Sequence, residues 1–220
     1  MILTTLSTSL NLRRLTLYDV PDEVSVKSWG LLARNLVTLE LRRYSRNANP
    51  ILSVPLTALN TLCVTLKHLP SLKSRQLPNV TRLTLVTDGG SSKCKRLKES
   101  ASFWGELEKM EKLTQISIDG PRPPTSVQFA LFGKDKGFMR GRIPSLIRIN
   151  FCRWVPLDCL CASLRDGTGR VLIKEIGVHE NKVSEIEVTL VAFLCELEGI
   201  RLVYLQDDAL SALRFKEVSE

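Results

Sequence analysis

The stretch that decides the fold is Leu36-Val-Thr-Leu39-Glu-Leu41, in which the apolar residues are spaced as L-x-x-L-x-L. The same apolar spacing returns seven more times along the chain. The further copies are Leu12–Leu17, Leu59–Val64, Val80–Leu85, Leu113–Ile118, Leu146–Phe151, Ile173–Val178 and Leu197–Leu202. A unit that recurs in this way predicts a repeat architecture, in which each copy packs against the next one.

Strand geometry explains the spacing. Alternate side chains of a β-strand share one face, so Leu39 and Leu41 point together into a core, and Leu36 fills the corner where the chain enters the strand. One such strand cannot bury its apolar face alone. The repeat therefore predicts an α/β solenoid with parallel strands on its concave side and irregular helices on its convex side.

The lengths of the repeats are uneven. The middle residues of successive copies are 24, 23, 21, 33, 33, 27 and 24 residues apart. The two longest intervals predict insertions, and one of them contains residues 120–142. There Phe129, Phe132, Phe138 and Met139 are expected either to tuck under the solenoid or to form an exposed lip for a partner. The even spread of copies predicts a single domain over residues 1–220, expected to lack an N-terminal module or cap.

Connecting segments between the copies carry apolar residues at helical spacing. Helices are predicted over residues 97–110, 154–164, 183–197 and 207–215, and a helical stripe over residues 22–35. Trp104 is expected to anchor the packing of the first of these helices. Pro55, Pro70 and Pro78 favour compact, irregular connections instead of long helices in the repeats around them.

The charge of the chain is unevenly distributed. Lysine and arginine number 31 against 23 aspartates and glutamates, which gives +8. Residues 1–110 hold 16 basic and 8 acidic residues (+8), whereas residues 111–220 hold 15 of each (0). A basic half attracts acidic proteins, nucleic acid or acidic lipid. A solvated surface without a partner explains the same charge more simply.

Few residues of this chain suit catalysis or metal binding. Six cysteines occur without a C-x-x-C pair, and His68 and His179 are the two histidines, so buried thiols are expected and a zinc site is not. No cofactor, metal or catalytic residue is predicted, and the chain is expected not to be an enzyme. Since no signal peptide or long apolar run occurs, we expect a protein of the cytoplasm or nucleus that does not enter a membrane.

Residues that alternate with the buried strand positions are predicted to face the concave side and to contact a partner. They are Arg14, Thr16, Tyr18, Thr38, Glu40, Arg42, Arg82, Thr84, Gln115, Ser117, Asp119, Arg148, Asn150 and His179. Tyr18 and the first-half arginines are the expected anchors, because tyrosine and arginine dominate the energetics of protein interfaces. The expected partner is a protein, and the basic half favours an acidic one. Nucleic acid stays as an alternative.

The eight copies, together with Leu77-Pro-Asn-Val-Thr-Arg-Leu-Thr-Leu85, give the chain a resemblance to divergent leucine-rich-repeat proteins over residues 10–205. Among these it is similar to the repeat region of eukaryotic F-box proteins, although no F-box-like segment precedes Leu12. The resemblance implies a substrate-recognition arm of an SCF ubiquitin ligase. The repeat regions of plant and fungal immune receptors are also similar, and they provide an alternative.

Overall fold

The computed structural model describes residues 12–18, 33–42, 52, 54–65, 72–87, 103–121, 143–165, 172–179 and 182–206. Several predictions lie outside these residues. They are the insertion over residues 122–142, most of the helical stripe over residues 22–35, the first part of the helix over residues 97–110, and the final helix over residues 207–215.

Each copy of the repeat contains one strand. The strands are β1 (Arg14–Tyr18), β2 (Thr38–Arg42), β3 (Thr61–Thr65), β4 (Arg82–Val86), β5 (Gln115–Asp119), β6 (Arg148–Phe151), β7 (Glu175–His179) and β8 (Arg201–Leu205). They form a single eight-stranded sheet in the order of the chain, and every neighbouring pair is parallel. The protein is therefore an α/β protein in which each strand pairs with the strands next to it in the chain.

The register of the sheet is constant from end to end. Leu15 pairs with Leu39, and the row continues through Leu62, Leu83, Ile116, Ile149 and Ile176 to Leu202. The last strand therefore lies two residues later than the copy Leu197–Leu202 predicted, because Leu202 and not Ile200 occupies the row. Since a slip of one residue would turn apolar side chains to the opposite face, constant register gives one continuous core. The row is buried as far as Ile176, and Leu202 packs against the core while partly exposed.

Two helices of the described residues lie between the last strands. Helix α1 (Leu157–Arg165) connects β6 to β7, and helix α2 (Glu185–Glu198) connects β7 to β8. Helix α1 begins three residues later than predicted, because Pro156 disfavours helical backbone at the residue before it. No helix in the described parts of the chain is long and apolar enough to cross a membrane.

Helix α2 has a defined signal at each end. Ser184 accepts a hydrogen bond from the backbone N–H of Glu187, and the Glu187 side chain accepts one from the N–H of Ser184, which completes a capping box. At the other end Gly199 adopts a left-handed conformation, with φ 66°, and this favours glycine. These residues explain why the helix begins two residues later than the apolar pattern predicted and ends one residue later.

The connections before β4 and β5 are shorter and irregular. A 3-10 helix occupies Ser74–Gln76, and residues 103–107 are helical and are followed by a turn at residues 108–109. The predicted packing role of Trp104 is confirmed, since its side chain is buried and meets the ring of Phe103 edge-on at 5.1 Å between centroids. Pro78 lies in the connection before β4, which is compact as the sequence predicted; Pro70 lies outside the described residues.

Candidate functional site

One face of the sheet, here called the polar face, carries the residues that alternate with the buried leucines. Its first row is Arg14, Thr38, Thr61, Arg82, Gln115, Arg148, Glu175 and Arg201. Its second row is Thr16, Glu40, Cys63, Thr84, Ser117, Asn150, Gly177 and Val203. At the strand ends Tyr18 pairs with Arg42, Val86 with Asp119, and His179 with Leu205. The fourteen predicted residues thus occupy positions on one face; for Tyr18 and Arg42 the strand position alone is described.

Burial divides this face in a way that the sequence did not predict. The second-row residues Glu40, Thr84, Ser117 and Asn150 are buried, and His179 at the end of β7 is fully buried. The expectation that His179 is a surface contact is therefore wrong. Neighbouring strands lie only about 4.8 Å apart, so short polar side chains in adjacent strands can bond to each other and lose contact with water.

In the second half of the polar face, on β5–β8, the charged side chains bind to neighbouring side chains of the same face. Arg148 Nε donates to Asn150 Oδ1 at 2.8 Å, and Asn150 Nδ2 donates to Ser117 Oγ at 3.0 Å. Glu175 forms ion pairs with Arg148, at 3.5 Å, and with Arg201. The carboxylate lies between the two arginines in the first row, so both of these arginines are paired within the face.

A buried carboxylate belongs to the first half of the face. Glu40 Oε2 accepts a hydrogen bond from Thr16 Oγ1 at 3.2 Å, and its Oε1 lies 3.8 Å from the Cys63 thiol, which donates to it. Both partners come from the neighbouring strands in the same row. Glu40 therefore bonds across β1–β3 inside the sheet and is not an open contact for a ligand.

Among the side chains of the face that the structure describes, the open cations are Arg14 and Arg82. Both are exposed, and neither forms an ion pair with any residue that the structure describes. Thr38 and Thr61, both half-buried, lie between them in the first row. Three strand spacings separate the two arginines, which is about 14 Å. The alternation of the strand residues predicted that Arg148 also contacts a partner, but Arg148 is paired with Glu175, which occupies the equivalent position of the next copy.

Another polar group lies where β5–β7 end. Arg153 Nε donates to Asp119 Oδ1 at 3.1 Å, and Lys182 Nζ lies 3.3 Å from His179 Nε2. Burial, together with the charge of Asp119, raises the pKa of Cys152 to about 12. The thiol of Cys152 is therefore protonated near neutral pH and is a poor nucleophile. In the described part of the chain, no cluster of three His, Cys, Asp or Glu side chains could hold a metal ion.

Comparison with known proteins gives no relative from which a function could be transferred. No protein-family model matches the chain, and no curated protein matches it.

Proposed function

We propose that the chain is a protein-interaction scaffold and that the first row of β1–β4 binds an acidic segment of a protein partner. The observation that carries this proposal is the contrast between two sets of arginines in one row. Arg14 and Arg82 are exposed without an ion pair to a described residue, whereas Arg148 and Arg201 share Glu175. The first half of the face thus has positive charge available for a partner.

The proposal includes a leucine-rich-repeat solenoid, in which the sheet is the inner layer and the polar face is concave. Three features support it: the strands follow chain order, neighbouring strands keep one register, and the apolar triplet coincides with the first seven strands. Helix α2 buries Val191, Leu194 and Cys195 in the core that also holds the strand leucines. A stack of such units presents a long continuous face, which suits binding of extended partners.

The spacing of the two arginines favours a particular partner. A guanidinium group binds a carboxylate through two parallel hydrogen bonds. An extended peptide advances about 3.3 Å per residue, so about four residues span the 14 Å between Arg14 and Arg82. A peptide that crosses β1–β4 with acidic side chains four positions apart would reach both arginines, and the hydroxyls of Thr38 and Thr61 would lie between them.

Within a cell, this scaffold would act as a recognition arm that brings an acidic protein to other machinery. The similarity of the repeats to those of F-box proteins supports a substrate-recognition arm of an SCF ubiquitin ligase as the particular form of this role. Nucleic acid would meet the same arginines, and the test below separates it from a protein partner.

The test uses a fluorescent extended peptide with two glutamates four positions apart, and fluorescence anisotropy as the readout. The Arg14→Glu, Arg82→Glu variant is expected to bind it at least about tenfold more weakly than the wild-type chain. Lys73→Glu, Arg75→Glu is the matched control. It makes the same change in charge at two exposed residues beside and within the 3-10 helix, and it is expected to keep most of the affinity.

Two results would contradict the proposal. Equal losses in both variants would mean that net charge, and not the position of the arginines, drives binding. Tighter binding of a single-stranded oligonucleotide, with an affinity that falls steeply as salt increases, would identify nucleic acid as the partner, because phosphate contacts release counterions.

A further inference from the structure

Helix α2 exposes a stripe of large apolar side chains. Ile186, Leu190, Phe193 and Leu197 are 74%, 45%, 57% and 64% exposed. Their spacing of four, three and four residues places them on one side of the helix over about 16 Å. The sequence predicted a strongly apolar helix on the convex side of the sheet. Leu194 is buried there, but the other apolar residues of the predicted helix face are exposed, namely Ile186, Leu190 and Phe193.

The margins of this stripe are acidic. Glu185, Glu196 and Glu198 are exposed, and the sequence of α2 contains no lysine or arginine. An apolar stripe between carboxylates differs from the apolar face of a membrane-surface helix, which normally has lysine and arginine beside it. The charge therefore favours a basic partner.

A cavity adjoins the first turn of the helix. It has a volume of about 250 Å³ and is lined by Trp154, Val155, Pro156, Leu157, Asp158, Cys159 and Glu187. Glu187 lies three residues before Leu190, so these two side chains are neighbours on the helix surface. The cavity and the apolar stripe are thus parts of one surface. An indole ring with two carboxylates nearby attracts a lysine or arginine side chain.

We propose that this surface, here called the α2 surface, is a second docking site and that it binds a basic amphipathic helix of a partner protein. The apolar side of the partner helix covers Ile186, Leu190, Phe193 and Leu197. Its lysines or arginines meet the acidic margins, and one of them enters the cavity beside Trp154. Because α2 packs on the core side of the sheet and the first row lies on the other side, the two docking sites are independent.

Charge also distinguishes this partner from two other occupants. A second copy of the chain, paired through antiparallel α2 helices, would bring Glu185 of one copy towards Glu196 and Glu198 of the other, and like charges at such positions are unfavourable. Residues 207–220 of this chain contain four acidic and two basic residues, a net charge of −2. Neither occupant complements the acidic margins, whereas a basic helix does.

The test measures binding of two synthetic helical peptides to the full chain by fluorescence anisotropy. Both carry leucines at spacings of four, three and four residues; one has lysines beside the leucines, and the other has glutamates there. The lysine peptide is expected to bind at least about tenfold more tightly. Phe193→Glu should lose this binding, whereas Leu172→Glu, at an exposed apolar residue before β7, should retain it.

A charge reversal makes the test specific. In the Glu185→Lys, Glu196→Lys variant the preference should invert, so that the glutamate peptide binds more tightly. Equal affinity for the two peptides, or unchanged binding in Phe193→Glu, would overturn the proposal. So would a wild-type dimer that Phe193→Glu dissociates, or a gain in lysine-peptide affinity when the chain is shortened to end at Gln206. Loss of the first docking site through Arg14→Glu, Arg82→Glu should leave binding at the α2 surface intact.

Discussion

Asn150 occupies the space above Gly177 in the neighbouring strand, where a β-carbon built on Gly177 would overlap Asn150 Oδ1. The same oxygen accepts a hydrogen bond from Arg148, and the amide nitrogen of Asn150 donates to Ser117. The missing side chain at residue 177 therefore makes room for the polar network across β5–β7. A glycine in a strand often marks such a close approach.

Gly177→Ala is expected to lower the free energy of unfolding by about 1–3 kcal/mol, because the added methyl group has no space. Denaturant unfolding measures the change. Gly105→Ala is the matched control: a β-carbon there meets no atom within 4 Å, and it lies in a helical segment, so it should stabilise by about 0.5–1 kcal/mol. The double variant Asn150→Ala, Gly177→Ala should lose less free energy of unfolding than the sum of the losses in the two single variants, because Asn150→Ala removes the atom that the new methyl group overlaps. Strict additivity would show that the two residues do not interact.

Glu106 joins the connection before β4 to the connection before β5, and its contacts predict that the protein loses stability in acid. Lys109 Nζ donates to Glu106 Oε1 at 2.6 Å and the Ser74 N–H donates to Oε2 at 2.7 Å, which lowers the pKa of Glu106 from 4.5 to about 2. Since the folded state favours the carboxylate, this stabilisation is present above pH 4.5 and is lost as the pH falls towards 2.

The size of this effect is limited by exposure to solvent, and we expect about 1 kcal/mol. Denaturant unfolding of the wild type and of Glu106→Gln should therefore differ at pH 6 and converge near pH 2. Glu111→Gln, a change at an exposed glutamate in the next turn, should follow the wild type throughout. A difference between wild type and Glu106→Gln that stays constant with pH would contradict the assignment.

The capping box of α2 predicts that removal of the Ser184 hydroxyl group lowers the free energy of unfolding. Ser184→Ala removes the acceptor for the Glu187 N–H, which is 3.3 Å away, and should destabilise the protein by about 1 kcal/mol. Thr189→Ala removes a hydroxyl that donates to the carbonyl of Glu185 within the helix, and should change stability by less than about 0.5 kcal/mol. Thermal unfolding measures the stability of both variants. An equal loss of stability in Ser184→Ala and Thr189→Ala would argue against a stabilising role of the capping box.

Cysteine labelling tests the burial of the core. Burial raises the pKa of Cys195 to about 11, and burial with Asp119 raises that of Cys152 to about 12. Neither thiol ionises at pH 8, and both are buried, so iodoacetamide should label them only as fast as the protein opens. Cys159 and Cys161, which are half-buried, should be labelled faster. Peptide mass spectrometry gives the labelling rates of the four cysteines. Rapid labelling of Cys152 in the native protein would contradict its buried position.

The apolar spacing in the sequence was enough to predict the strands, their order and the side chains that alternate onto the polar face, although the last strand lies two residues later than predicted. Leu39 and its equivalents carried this information, because a strand places alternate residues on one face and stacked copies bury one face together. The start of α1 was misplaced because Pro156 acts locally on the residue before it, a signal weaker than the apolar pattern around it.

Which polar residues stay open to a partner became clear from the packing of neighbouring strands. Whether Arg82 is available and Arg148 is not depends on the side chain at the same position of the adjacent strand. Glu175, which pairs with Arg148, lies 27 residues after it in the sequence. The burial of His179 and the exposure of Phe193 likewise depend on what lies beside them in space. Periodicity along one chain reports the direction of a side chain, whereas pairing and burial are properties of its neighbours.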